Sequence, residues 1–367
     1  MTVLEYVLAR FWDERIWLPS NVTWETLRPN DKIQYADHNH LYYPLPFALG
    51  LLFLRALLEK YCYAPIGIHL GIKHVKHSKV IENKELEKLY KSGKKLSHKE
   101  VEAAAKQEKM TERQVERWLR VRRAADRPTK LKKFCENTFR FTYYVFSFIF
   151  GLVVLWDKPW LWSIKYCWVN YPHQSVSNDV WWYYMISLSF YWSLTMSHFS
   201  DVKHKDFWQM FIHHIATIML MDFSWVCNMH RIGSLVLVVH DCADIFLEAA
   251  KMAKYAKRQK ICDALFVMFT IIWIVTRLGL FPFWIVRNTM FEAPQMVEMF
   301  PAYYIFNSLL LLLLALHIFW TYLILKIAYN AVLVGQMQGD IRSSTNENSD
   351  EDSPVTNATE NGVKKTN

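Results

Sequence analysis

The stretch from Asp206 to Met252 reads DFWQMFIHHIATIMLMDFSWVCNMHRIGSLVLVVHDCADIFLEAAKM. It holds two apolar segments of membrane-spanning length joined by the polar turn CNMHR at 227–231. The first segment carries His213 and His214; the second carries His240, Asp241 and Asp244. Ionisable side chains are expensive inside a bilayer and persist there with a task or a partner. Their concentration on two consecutive spans marks a buried reaction or transport site in an all-α membrane protein.

Depth supports that reading. His213 lies seven residues after Asp206, and Asp244 lies seven residues before Lys251. At about 1.5 Å of rise per residue, both sit roughly 10 Å inside the same membrane boundary if the segments run antiparallel. Asp241 and Asp244 are spaced i, i+3 and His240 and Asp244 i, i+4, so the three share one broad helix side. Neighbours on a helix diverge by about 100°, so His213 and His214 cannot both point at one spot. His213, level with Asp244 and one turn from Thr217, is favoured for chemistry. A histidine backed by a carboxylate is a general base, or a nucleophile held in one tautomer. A metal site is disfavoured, because His198, His204, His230 and His317 lack the spacing of repeated histidine boxes around the lone pair. A transporter is disfavoured by the lack of an inverted repeat or of Gly/Pro-broken helices. Phosphate-loop, nucleophile-elbow and dinucleotide-binding glycine patterns are missing too.

Working outward, the 367 residues are 52% hydrophobic and 16% aromatic, with 16 Trp. About 20 apolar residues cross a bilayer, and seven such spans are read at 44–64, 139–156, 180–198, 207–226, 231–251, 264–287 and 302–326. The first is the weakest, since Arg55 and Glu59 stand one turn apart near its end; they are expected to pair and reach towards the headgroups. The net charge of +9 sits in particular loops: residues 66–133 hold 20 Lys+Arg against 9 Asp+Glu. KMAKYAKRQK (251–260) is also basic, whereas 157–179 is aromatic and 288–301 is acidic. This alternation predicts a lumenal N-terminus and a cytosolic C-terminus. No cleavable signal peptide is expected within 1–40, where Glu5, Arg10, Asp13, Glu14 and Arg15 break any apolar core. Asn21-Val22-Thr23 is then a lumenal glycosylation site, whereas Asn357 lies on the wrong side. The six cysteines, Cys62, Cys135, Cys167, Cys227, Cys242 and Cys262, read as buried thiols.

The loop at 66–133 contains two capping pairs that start helices, Ser97 with Glu100 and Thr111 with Gln114. The second helix reads TERQVERWLRVRRAADR (111–127), and the helix pair resembles the last two helices of a homeodomain. Val121 stands where an adenine-reading Asn would, and no first homeodomain helix is legible upstream, so DNA is not an expected partner. A basic surface set against anionic lipid or a phosphorylated ligand is the better reading. Beyond Gly335 the chain is polar and reads as a disordered tail, with Ser344 and Ser349 as sites for an acidophilic kinase.

The block SHFSDVKHKDFWQMFIHHIAT (197–217), continuing through 227–252, resembles the longevity-assurance motif of ceramide synthases within the TRAM-Lag-CLN8 domain. NVTWETL near the N-terminus, the homeodomain-like loop and TRLGLFPFW (276–284) extend the likeness over nearly the whole chain. The resemblance implies an N-acyltransferase of the endoplasmic reticulum membrane that joins a fatty acyl group from acyl-CoA to sphinganine or sphingosine, with no further cofactor. It implies catalytic roles for His213, His214, Asp241 and Asp244, and places His240, Asn228 and Arg231 in the matched motif. Acyl-length preference falls on 291–302, and a homo- or heterodimer with related synthases is a possible assembly. Arg277, inside the sixth span, either balances one Asp or binds a phosphate. Basic flanks at Lys203, Lys205 and Lys251 suit the polyanionic CoA. His213 is expected to accept the acyl group, with direct attack on the thioester as the variant mechanism.

The expected architecture is therefore an all-α polytopic bundle of about seven transmembrane helices with a small cytosolic homeodomain-like segment. Its parts are a lumenal N-terminus (1–43), a first transmembrane helix (44–64), the basic loop (66–133), a six-helix catalytic domain (134–334) and the tail (335–367). The alternative function is a non-enzymatic lipid sensor working through the basic loop, sensitive to Arg120, Arg122 and Arg123 rather than to His213.

Overall fold

The computed structural model describes residues 2, 5–6, 10–29, 33–73, 81–92, 97–126, 128–202 and 206–334. Lys203, His204, Lys205, Ser344, Ser349 and Asn357 fall outside them. The described residues are helical, with no strand among them. In chain order the helices are α1 (Pro44–Leu58), α2 (Lys84–Lys91), α3 (His98–Gln107), α4 (Glu112–Asp126), α5 (Lys130–Leu155), α6 (Asn178–Ser197), α7 (Phe207–Val226), α8 (His230–Tyr255), α9 (Gln259–Trp273) and α10 (Pro301–Val334). Four stretches among the described residues are long and apolar enough to cross a membrane: His38–His69, Glu112–Leu155, Gln259–Gln295 and Pro301–Leu333.

Each end of a helix has a local cause. Pro44 opens α1 at a position where its missing N–H is no loss. Ser97 and Glu100 bond reciprocally at the start of α3, and Thr111 and Gln114 do the same ahead of α4, as their spacing predicts. Asn228, at φ 57°, takes the left-handed conformation in the tight turn between α7 and α8.

α8 is the central helix. It packs along α5 and α9 and more lightly on α6 and α7, while α7 leans chiefly on α6 and α10. The expected antiparallel pairing of α7 with α8 is thus opened out, and a cavity lies between them. The main core joins α6, α7, α8 and α10 to the N-terminal segment through Trp17, Tyr184, Trp225, Leu235 and Leu313. Cys227 donates to the Trp17 carbonyl and Trp225 to that of Asp37, so the segments 10–29 and 33–42 pack on that end of the bundle.

Three features depart from expectation. The first homeodomain helix exists as α2, capped by Asn83 through Glu85 and Leu86 N–H groups. KELEKLYK carries too few apolar residues to be legible alone, yet Leu86 is wholly buried among Val101, Val115, Trp118 and Leu119. Arg55 does pair with Glu59 at 2.7 Å, but it turns inward, donating to both Asp201 carboxylate oxygens at 2.8 and 3.1 Å. Finally, α9 widens at Ile274 into π-helical turns that run to Val286 and resume over Asn288–Glu292. Pro282 lies inside this stretch and cannot donate to the ordinary ladder; widened turns of this kind gather at functional sites.

Candidate active site

The open cavity between α7 and α8 is walled by six helices, α5 to α10, and by the widened end of α9. α7 contributes His213 and His214, α8 contributes His240, Asp244, Glu248 and Lys251, and the widened turns contribute Arg277. His317 and Trp320 come from α10, Arg140 from α5, and Tyr191 from α6. The sequence-predicted residues His213, His214, His240, Asp244 and Arg277 therefore meet around one space.

Their bonding separates roles. Arg277, only 3% exposed, donates through Nη2 to the His240 carbonyl at 2.7 Å and to Asp244 Oδ2 at 3.3 Å. Of the two tasks open to it, the structure shows the first: it balances an aspartate. Its Nε and Nη1 have no partner, which leaves two donors of a buried guanidinium unused. Asp241 is one turn away on α8 but faces α5, accepting from Ser147 Oγ at 2.6 Å; it does not line the cavity. The two aspartates thus hold different partners, although their i, i+3 spacing puts them on one broad side.

His240 Nδ1 donates to the Val236 carbonyl at 2.7 Å, and this fixes the tautomer, leaving Nε2 as the acceptor. That Nε2 is buried without a partner, as is Nδ1 of both His213 and His214. The two rings of the pair diverge as helix geometry requires. His213 lies edge-on to Trp320, with centroids 5.4 Å apart, and His214 edge-on to His198 at 5.6 Å. Trp320 in turn donates to Asp206 Oδ2 at 3.1 Å, tying α10 to the start of α7.

At its inner end the cavity meets a second, almost wholly apolar chamber. His240 and Tyr191 line both. The chamber runs past Thr217, Met221, Leu237 and Leu313 to Trp168, Thr289 and Tyr303. Trp168 is pinned by the Asn288 side chain at 2.6 Å, and Tyr303 donates to the Thr289 carbonyl at 2.6 Å.

At the other end, where Glu248 and Lys251 pair at 2.7 Å, Asp201 lines the mouth. Burial pushes the Asp201 carboxyl up, but the Arg140 and Arg55 guanidiniums outweigh it and hold it below the usual carboxylate range. Three sequence-predicted site residues line neither cavity: Asp241, held by Ser147, and Asn228 and Arg231. Asn228 donates to the Pro172 and Gln174 carbonyls, and Arg231 donates to the Tyr166 carbonyl while covering the Trp160 ring. Both lock the 157–179 loop. Asn21 sits exposed in a turn at φ 67°. Sequence reasoning missed Ser147, Tyr191 and Trp320, and gave His317 no place in the site. A polar residue inside LLLLLLALHIFW (309–320) was the available signal for the last.

Comparison with known proteins adds to this geometry. Residues 133–326 match the TLC domain family and residues 79–128 the homeodomain family. The chain is 41% identical over 365 residues to "Ceramide synthase 5" of Homo sapiens, covering 97% of this chain and 93% of that protein. It is 42% identical to "Ceramide synthase 4" of Homo sapiens, over 92% and 86% of the two chains. With "Ceramide synthase hyl-1" of Caenorhabditis elegans it shares 33%, over 92% and 84%.

Proposed function

The chain belongs to the ceramide synthase family and is a sphingoid-base N-acyltransferase, and from that premise we propose how its cavity carries the transfer. The observation that bears the reading is the junction at His240 and Tyr191, where a polar cavity holding His213 and Asp244 opens into an apolar chamber. The acyl chain of an acyl-CoA occupies the chamber, and its thioester stops beside His213. The CoA moiety extends to the mouth, where Arg140, Lys251 and Lys254 supply positive charge; acyl-CoA and sphinganine or sphingosine are the only reactants, with no cofactor.

His213 attacks the thioester carbonyl, the C–S bond breaks, and the thiolate takes the imidazole proton, leaving an acyl-imidazole. The unused Nε and Nη1 donors of Arg277 are the groups available to the developing oxyanion. Asp244 keeps that guanidinium in place through the 3.3 Å contact. His214, edge-on to His198, supports the α6–α7 contact.

The same reading sets the protein in the endoplasmic reticulum membrane as seven spans, α1 and α5–α10, with the N-terminus lumenal and α2–α4 cytosolic. Asn21 then carries a glycan, which Asn21→Gln removes as a loss of endoglycosidase-sensitive mass. Purified protein given acyl-CoA alone is expected to carry one acyl group on His213, detected by mass spectrometry of peptides. His213→Ala is expected to lose both the adduct and sphinganine acylation. An active wild-type enzyme with no adduct under rapid quenching refutes the covalent route.

A further inference from the structure

Acylation of His213 removes the best-placed base just when another is needed. A sphingoid amine, like a lysine side chain of pKa about 10.4, arrives as an ammonium and must shed a proton before it can attack. Around the cavity the two aspartates are engaged, Asp244 with Arg277 and Asp241 with Ser147. Besides the acylated His213, three cavity-lining histidines hold a buried ring nitrogen with no partner: His214 Nδ1, His240 Nε2 and His317 Nδ1.

The three differ in position: His214 turns towards α6, edge-on to His198 at 5.6 Å. His240 lines both the cavity and the apolar chamber, at the threshold the acyl chain must cross. His317 lines only the cavity. It is 1% exposed in the heart of the most apolar helix, one turn before the Trp320 that abuts His213. Its ring lies 5.1 Å from that of His240, 5.0 Å from Phe281 and 5.8 Å from Trp273, so it is clamped on several sides. An uncommitted polar atom kept in such a setting forfeits hydrogen bonding, and nothing in the packing of α10 calls for it.

We propose that His317 is a catalytic base of the second half-reaction, accepting the proton of the sphingoid ammonium. This rests on the acyl-transfer reading above. The ammonium N–H passes its proton to His317, and the freed nitrogen attacks the acyl carbon of acyl-His213. The new C–N bond forms, the bond from the acyl carbon to His213 breaks, and the departing imidazole takes a second amine proton. The products are the amide, neutral His213 and protonated His317, which releases its proton through the cavity mouth. The charged and titratable groups that share the cavity with His317 include His213 on α7, His240 and Asp244 on α8, and Arg277 on the widened end of α9.

The test compares full-length wild-type and His317→Gln with sphinganine and with hydroxylamine, an acceptor already neutral near pH 7. With sphinganine, His317→Gln is expected to lose roughly 10²–10⁴-fold in kcat at neutral pH, the usual worth of a positioned base. That deficit should shrink as the pH rises and the amine deprotonates in solution. The loss with hydroxylamine should be far smaller, and the acyl-His213 adduct should still form. An equal loss for both acceptors at every pH means a packing role and overturns the proposal; so does an unchanged sphinganine profile. His317→Asn is the second variant. If neither folds, the wild-type pH profiles decide: a falling acid limb common to both acceptors overturns it. A wild-type protein inert towards sphinganine fails earlier and removes the acyl-transfer reading itself.

Discussion

Arg277 shows how much one side chain does in this cavity. Its fork spends one nitrogen on the His240 carbonyl and Asp244 and leaves two without a partner. A lysine there keeps the charge but, as a compact ammonium, cannot serve both directions at once. Arg277→Lys is therefore expected to lower kcat about 10²–10³-fold, the range for removing an oxyanion donor, with little change in KM for sphinganine; steady-state rates on purified protein read this. A rise in KM alone would mean that Arg277 holds substrate and not the transition state. The candidate chemistry at this scale was legible in the sequence because intramembrane charge is conspicuous. Its wiring was not: Asp241 and Asp244 look equivalent in sequence, and only the placement of Ser147 on α5 separates them.

Among the elements, α1 and α5 are joined through Asp201, beyond the end of α6, by a buried ion-pair network. Arg55, buried at 8% exposure, is bound by Glu59 and Asp201, and Arg140 reaches the same Asp201 at 3.0 Å. Asp201→Asn or Arg55→Met leaves a buried charge short of its partner and is expected to cost about 3–5 kcal/mol. The double variant Arg55→Met/Asp201→Leu should recover part of that, because apolar packing often replaces a buried ion pair at little loss; denaturation in one detergent measures all three. The pH dependence has a definite sign. A carboxyl held below its unfolded value contributes stability above the unfolded pKa and loses it as pH falls through the folded one. Wild-type thermal stability should thus decline on acidification below the usual carboxylate range, with a shallower decline in Asp201→Asn. The Arg55–Glu59 contact was readable from its i, i+4 spacing; the turn inward was not, because Asp201 lies 146 residues away.

At the scale of the whole molecule, two cavities meet at His240 and Tyr191. Leu313, 1% exposed, lines the middle of the apolar chamber. Leu313→Trp is expected to shift acyl-CoA preference towards shorter chains while sparing the shortest substrates, as read by competition among acyl-CoAs of stepped length. An unshifted profile removes the chamber as the acyl site. What the sequence determined alone was the helical class, the long apolar elements, the capping boxes of α3 and α4, and the gathering of imidazole and carboxylate on two consecutive helices. Those follow from periodicity, local side-chain bonds and the expense of charge among apolar residues, all properties of a few neighbouring positions. Only the tertiary structure decided that α8 packs on α5 and α9 and opens away from α7. It also decided that α2 completes the three-helix unit, that Arg277 reaches Asp244 from a widened helix, and that His317 joins the site from the last helix. These depend on which apolar faces find one another across the bundle, and helices that are hydrophobic all round do not announce their partners.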